Sequence, residues 1–330
     1  MRRQIWMYVL SRIRQPSRPY DAEQEEVWKP RGFDSIGVKL VDTRIVLSGP
    51  ASRNSPWVRN CFGFVLRGGE LDDAFAQRFA DAEMASSSLV WGVTLGDSPR
   101  ACRVPLTGRR QPVTVRFATL AKIGMEIEQE VDWSTFERNW QVPASSIPPV
   151  WRILPVVIRD PFFDATHYYA ASLREFSLFG DAETIADDPS APVSRKDAVQ
   201  VESAVQDAFK AVEALVGDPP ASDQRLARKL SEIGVDPDEQ VGFDRFGNGS
   251  HPETVISKIR KMKLARDKRV AHGSTPKPRT VTYYELMDFQ ECAGFIVSAA
   301  VKREIANMGG QPPIVAATRW FEQEGATRDS

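Results

Sequence analysis

The run Arg266-Asp267-Lys268-Arg269-Val270-Ala271-His272-Gly273 closes a basic, helix-patterned segment and holds two groups that could act on a phosphodiester. Arg266 carries a permanent charge on a planar fork, and the imidazole of His272 titrates near neutral pH. Such a pair can hold a phosphate and move a proton beside it. The chain has three histidines, so one in this setting is informative. Metal-independent RNA cleavage needs little more, because the substrate's own 2′-hydroxyl is the nucleophile. His272 would abstract that proton or protonate the leaving oxygen, while Arg266 would stabilise the charge gathering on the phosphate.

The surrounding charges agree with that chemistry. From Lys258 to Arg279 nine basic residues (Lys258, Arg260, Lys261, Lys263, Arg266, Lys268, Arg269, Lys277 and Arg279) stand against one acid, Asp267. In a chain of net charge −1 this is a local excess fit for a polyanion backbone, with Lys258, Lys261, Lys263, Lys268, Lys277 and Arg279 as RNA contacts. Tyr283 and Tyr284 lie just beyond and are placed to stack on bases.

Plainer readings exist for each of these residues. Residues six apart on a regular helix lie about 120° apart in projection, so Arg266 and His272 converge only if the turn before His272 is distorted. Arg269, three residues before His272, is therefore the second candidate for the phosphate. His272 with Gly273 after it would also serve as an ordinary helix end. Asp267 either orients His272 or neutralises a neighbouring lysine. Glu213, between Val212 and Leu215, reads equally as a buried carboxylate facing the site or as a helix-surface charge. A basic run is in most proteins a solvated face. His167, beside Tyr168 and Tyr169, reads as structural, and His251, before Pro252, as a loop residue at a helix entrance.

The elements that must position these groups are helical. After Arg195 the apolar period becomes 3.6: Val201, Val205, Ala208, Val212 and Leu215 make a stripe that Ser194 can cap and that stops at Gly217-Asp218-Pro219-Pro220. A second helix spans Ser222 to Ile233 and is closed by Gly234. The stretch 236–249 reads as a loop. A third helix opens at Pro252 and runs through Ile256, Ile259 and Met262 towards His272. Thr282 caps a long fourth helix to about Met308.

Up to about residue 160 the pattern is mainly β: strands are expected at Ile5–Leu10, Ile36–Val41, Thr43–Leu47, Cys61–Leu66, Ser88–Leu95 and Pro112–Phe117, with one helix over Leu71–Met84. Seven of the eight tryptophans lie before residue 152, either filling a core or lining a ligand groove. Residues 141–163 are rich in proline and read as a connector, followed by a helix over Ala165–Phe179 and an acidic linker over Asp181–Pro192. The organisation expected is α+β: a strand-rich α+β domain over 1–160, a helix and linker over 161–192, an all-α bundle of four to five helices over 193–308, and a tail over 309–330.

Hydrophobic residues at 42% and charged residues at 26% give the balance of a globular protein. The apolar run at the start is about six residues, too short for a signal or a membrane span, so no membrane partner is expected. Cys61, Cys102 and Cys292 are odd in number and far apart, which argues against disulfides and zinc and fits a cytoplasmic protein. No metal or other cofactor is expected.

Residues 195 to 307 resemble the HEPN family of all-helical domains, and in particular its Apea-like members. The resemblance rests on the first long helix ending Ala208-Phe-Lys-Ala-Val-Glu213-Ala-Leu-Val-Gly217, on Arg266-Asp267 separated by four residues from His272-Gly273, and on the amphipathic helix Tyr284-Glu-Leu-Met-Asp-Phe-Gln-Glu-Cys-Ala293. It covers about a third of the chain and leaves the N-terminal half, with its ligand or protein partner, unassigned. It implies a metal-independent ribonuclease working as a homodimer through the bundle, with two His272 rings at one cleft, and a role in stress or phage defence. The tyrosine that follows the histidine by two residues in toxin–antitoxin relatives is absent here, where Ser274 stands. The alternative is a non-catalytic HEPN-like module that dimerises and binds RNA, a ligand or a protein.

Overall fold

The computed structural model describes residues 4–9, 39–40, 45–48, 61–64, 66–67, 73–92, 102–105, 113–116, 147–176, 198–242, 253–267 and 281–309. The chain divides into two units, Met1–Met84 with Leu95–Pro155, and Ala85–Thr94 with Val156–Ser330.

Seven short strands are described in the first unit: β1 (Gln4–Val9), β2 (Lys39–Leu40), β3 (Ile45–Ser48), β4 (Cys61–Phe64), β5 (Leu66–Arg67), β6 (Cys102–Pro105) and β7 (Val113–Arg116). Strand β1 is central in an antiparallel sheet ordered β4-β1-β6, with Trp6 opposite Phe64 on one side and Arg103 on the other. Strands β2 and β5 pair antiparallel, and β3 and β7 pair parallel. All but β6 fall on segments whose β-branched or alternating pattern marks them. The sequence around β6 is too short and too polar to show a period.

Two helices correct the sequence expectation. Helix α1 (Asp73–Trp91) continues through Ser88–Trp91, where a strand is expected. Ala82, Ala85 and Ser86–Ser88 contain no breaker, Leu89 and Val90 bury as part of the helix, and the chain turns only at Gly92, whose φ of 64° suits glycine. Helix α2 (Ile147–Val157) replaces much of the expected proline-rich connector. Pro148 and Pro149 occupy its first turn, where no backbone N–H is needed, and the apolar run Val150, Ile153, Leu154, Val156 and Val157 is buried.

The second unit is helical: α3 (Phe162–Glu175), α4 (Ala198–Val216), α5 (Asp223–Glu232), α6 (Val255–Ala265) and α7 (Tyr283–Asn307). Helix α3 lies along α4, α7 packs on both, α6 sits against α7 and α4, and α5 touches α4 and α6. The apolar stripe of α4 is buried as its spacing requires, with Phe209 and Ala211 added to it and Leu215 only part-buried. Gly217 (φ 69°) and Gly234 (φ 85°) end α4 and α5 in the left-handed conformation. Helix α6 begins at Val255 with Thr254 as its cap, while Pro252 lies outside the described residues. Inside the expected 236–249 loop, Gln240–Val241 forms β8, which pairs with β9 (Glu253–Thr254) and so delivers the chain to α6. Thr282 and Glu285 form a reciprocal capping box at the start of α7.

Two buried polar side chains of this unit, Gln290 and Ser172, are partnered across helices. The Gln290 amide donates to the carbonyls of Ser172 (3.0 Å) and Phe176 (2.9 Å) at the end of α3. The Ser172 hydroxyl in turn donates to the Ala204 carbonyl of α4 at 2.7 Å. These bonds tie α3, α4 and α7 into one register, which fixes α4 as the platform for the end of α6.

Candidate functional site

The site is built where α6 ends against α4. Phe209 and Glu213 stand one turn apart on one face of α4. Over that face the Arg266 guanidinium lies with its carbon 4.2 Å from the Phe209 ring centroid, a cation–π contact. Its Nη1 meets Glu213 Oε2 at 3.5 Å, and its Nε donates to Asp267 Oδ1 at 2.8 Å. Among the described residues no acceptor meets Nη2, and the Arg266 side chain keeps 27% of its exposure. Glu213, open to two sequence readings, therefore faces the site; it is part-exposed at 35% rather than buried. The helix also departs from regular α geometry here, widening to a π-type turn at Arg266–Asp267.

The basic face looks different in three dimensions. Five of its cations meet five acids drawn from other parts of the chain: Lys258 with Asp288, Arg260 with Asp223, Lys261 with Glu253, Lys263 with Asp218 and Arg266 with Glu213. Lysine 263 reaches Asp218 at 2.5 Å, and that hydrogen bond, aided by the nearby charges of Lys263, Arg266 and Lys229 against a small cost of burial, holds the Asp218 carboxyl below its usual range. Lysine 229 donates to the Val216 carbonyl at the end of α4, at 2.5 Å. Two expected RNA contacts are thereby corrected. Lys258 is 2% exposed and committed to its ion pair, so it is withheld from a phosphate backbone. Tyr283 is 4% exposed with its ring stacked on Phe176 at 5.1 Å, so the face expected for a base is already covered. Tyr284 is part-buried. Lys261 (55% exposed) and Lys263 remain at the surface, each beside its acid.

A second polar cluster lies between α3, α6 and α7. Around the Lys258–Asp288 pair stand Glu291 and Cys292 of α7 and Tyr169 of α3. The Glu291 Oε2 is shut from solvent and has no hydrogen-bond partner among the described residues. Burial, with the charge of Asp288 adding and that of Lys258 opposing, pushes the Glu291 carboxyl up to about 7. Burial likewise lifts the Cys292 thiol to about 12, and lifts the Tyr169 phenol with help from Glu291. A signal existed in the sequence: Lys258 falls within the buried stripe Val255, Ile259, Met262 of α6, a position where a lysine needs a buried partner.

His272, Arg269, Lys268, Lys277 and Arg279 lie outside the described residues, as do His251 and the tryptophan side chains. His167 is part-buried, its ring stacked on Phe163 at 5.9 Å. Among the described residues there is no group of three or more His, Cys, Asp or Glu able to hold a metal, and no helix long and apolar enough to cross a membrane. Comparison with family models, with curated proteins and with solved structures finds no match.

Proposed function

We propose that the chain is a metal-independent, HEPN-type endoribonuclease of the cytoplasm, a homodimer that acts on single-stranded RNA as an effector of stress or phage defence. His272 serves as acid and base and Arg266 binds the scissile phosphate. The substrate 2′-hydroxyl attacks phosphorus as His272 takes its proton, and the P–O5′ bond breaks with a proton delivered to the leaving oxygen. One fragment then ends in a 2′,3′-cyclic phosphate and the other in a 5′-hydroxyl. The observation that carries this reading is the state of Arg266: held on three sides by Phe209, Glu213 and Asp267, yet with Nη2 unengaged among the described residues and the side chain open to solvent. A guanidinium fixed before substrate arrives loses less freedom when it grips a phosphate.

A specific observation favours a second reading. Five cations of the basic segment are matched by acids, as in a helical module that uses its charges internally and only dimerises or binds a partner. Labelled single-stranded RNA incubated with EDTA separates the two. Cleavage by the wild type that is lost in His272→Ala supports the nuclease, and absence of cleavage in both favours the binding module.

A further inference from the structure

We infer that Phe209 is a positioning residue of the site, its buried ring holding the Arg266 guanidinium in the plane from which the Nη2 edge meets the scissile phosphate. This rests on the ribonuclease reading above.

A planar group is fixed by one contact to its face and two along its edges. Both edge contacts of Arg266 are incomplete anchors. Asp267, at 2.8 Å, is the next residue on the same turn and moves with Arg266. Glu213, at 3.5 Å, is at the limit of a hydrogen bond and is part-exposed. The contact that ties the guanidinium firmly to the second helix is the Phe209 ring, fully buried on α4 and 4.2 Å away. With the plane set by the ring and rotation in the plane limited by the two carboxylates, the direction left open among the described residues is Nη2. Because both acids draw the guanidinium, an incoming phosphate competes with them for it. The ring, a neutral partner, keeps the group in place while those hydrogen bonds exchange.

The test measures kcat and KM on labelled single-stranded RNA in EDTA for wild type, Phe209→Leu, Arg266→Lys and the double variant. Thermal melting of each reports folding, and Phe209→Met replaces the leucine variant if that one melts early. Loss of the ring lowers kcat about 10-fold with KM within about twofold, because the contact acts on the transition state. In the Arg266→Lys background, where no planar group remains, Phe209→Leu lowers kcat no further. Equal losses in both backgrounds, or unchanged kcat in the single variant, overturn the inference while leaving the nuclease standing. The Nε–H resonance of Arg266, assigned through Arg266→Lys, provides a readout free of activity. Displaced by the ring current in wild type, it loses that displacement in Phe209→Leu while its bond to Asp267 persists. If wild type does not cleave RNA, the nuclease reading falls and this resonance alone decides whether the ring positions the guanidinium; an identical signal in both proteins refutes it.

Discussion

Glu291 is an acid placed one helical turn from another acid, Asp288, inside a helical unit whose described residues hold one buried cation, Lys258. The ion pair satisfies Lys258 and Asp288, and Glu291 is the charge left over. With its carboxyl raised to about 7 by burial first and by Asp288 second, the folded protein holds this proton through a range where the unfolded chain releases it. The sign follows: the stabilisation is fully present below the unfolded value, near pH 4, and is lost as pH rises through about 7. Glu291→Gln keeps the shape and removes the charge. We expect it to raise stability at pH 8 by on the order of 2–3 kcal/mol and to flatten the decline between pH 5 and 8, read from urea unfolding at each pH. A variant that tracks the wild type across that range would show that Glu291 is ionised without penalty. This residue was open to sequence reasoning only through Lys258, whose place in an apolar stripe signals a buried partner without naming it.

Helix α7 illustrates which parts of an element a sequence exposes. Its start is written in Thr282 and Glu285, which satisfy each other's backbone donors wherever the helix is placed. Its close approach to α3 is not: Gly294 is unremarkable in sequence, yet a Cβ there would lie 2.8 Å from the Tyr169 hydroxyl and 2.9 Å from its ring carbon. The ring is buried and rigid, so it cannot yield by a side-chain rotation. Gly294→Ala gains up to about 1 kcal/mol of helix propensity and loses more to overpacking. A net destabilisation of about 1–2 kcal/mol is expected in urea titration, and a stabilised variant would mean the two helices separate easily. Helix α1 and helix α2 make the converse point. The triplet Leu89-Val90-Trp91 suits a strand by residue type, and Pro148-Pro149 suits a loop, but each lies within a helix: nothing before Gly92 breaks α1, and in α2 the buried apolar run Val150, Ile153, Leu154, Val156 and Val157 carries the helix past Pro155.

At the scale of the whole molecule, charge is redistributed by folding. A surface using all nine basic residues from Lys258 to Arg279 would give RNA binding a log–log salt slope near −6 per chain. Withholding Lys258, Arg260, Lys261 and Lys263, each engaged by an acid, leaves five cations and a slope of about −3.5 or shallower. Fluorescence anisotropy of a 2′-deoxy single strand across a salt series measures it, and a slope near −6 would mean that the ion pairs open on binding. The sequence by itself determined the change from strand-rich to helical patterning, the long helices of the second unit and their ends at Gly217 and Gly234, and the place of Arg266 at the close of a basic helix. Those features depend on neighbours within a few residues, where backbone preference and apolar spacing act. Only the tertiary structure decided that Glu213 and Phe209 receive Arg266, that Lys258 is buried against Asp288, and that five acids quiet the basic face. Such pairings join residues 8 to 57 positions apart, and their partners are chosen by how the helices pack, which no local pattern records.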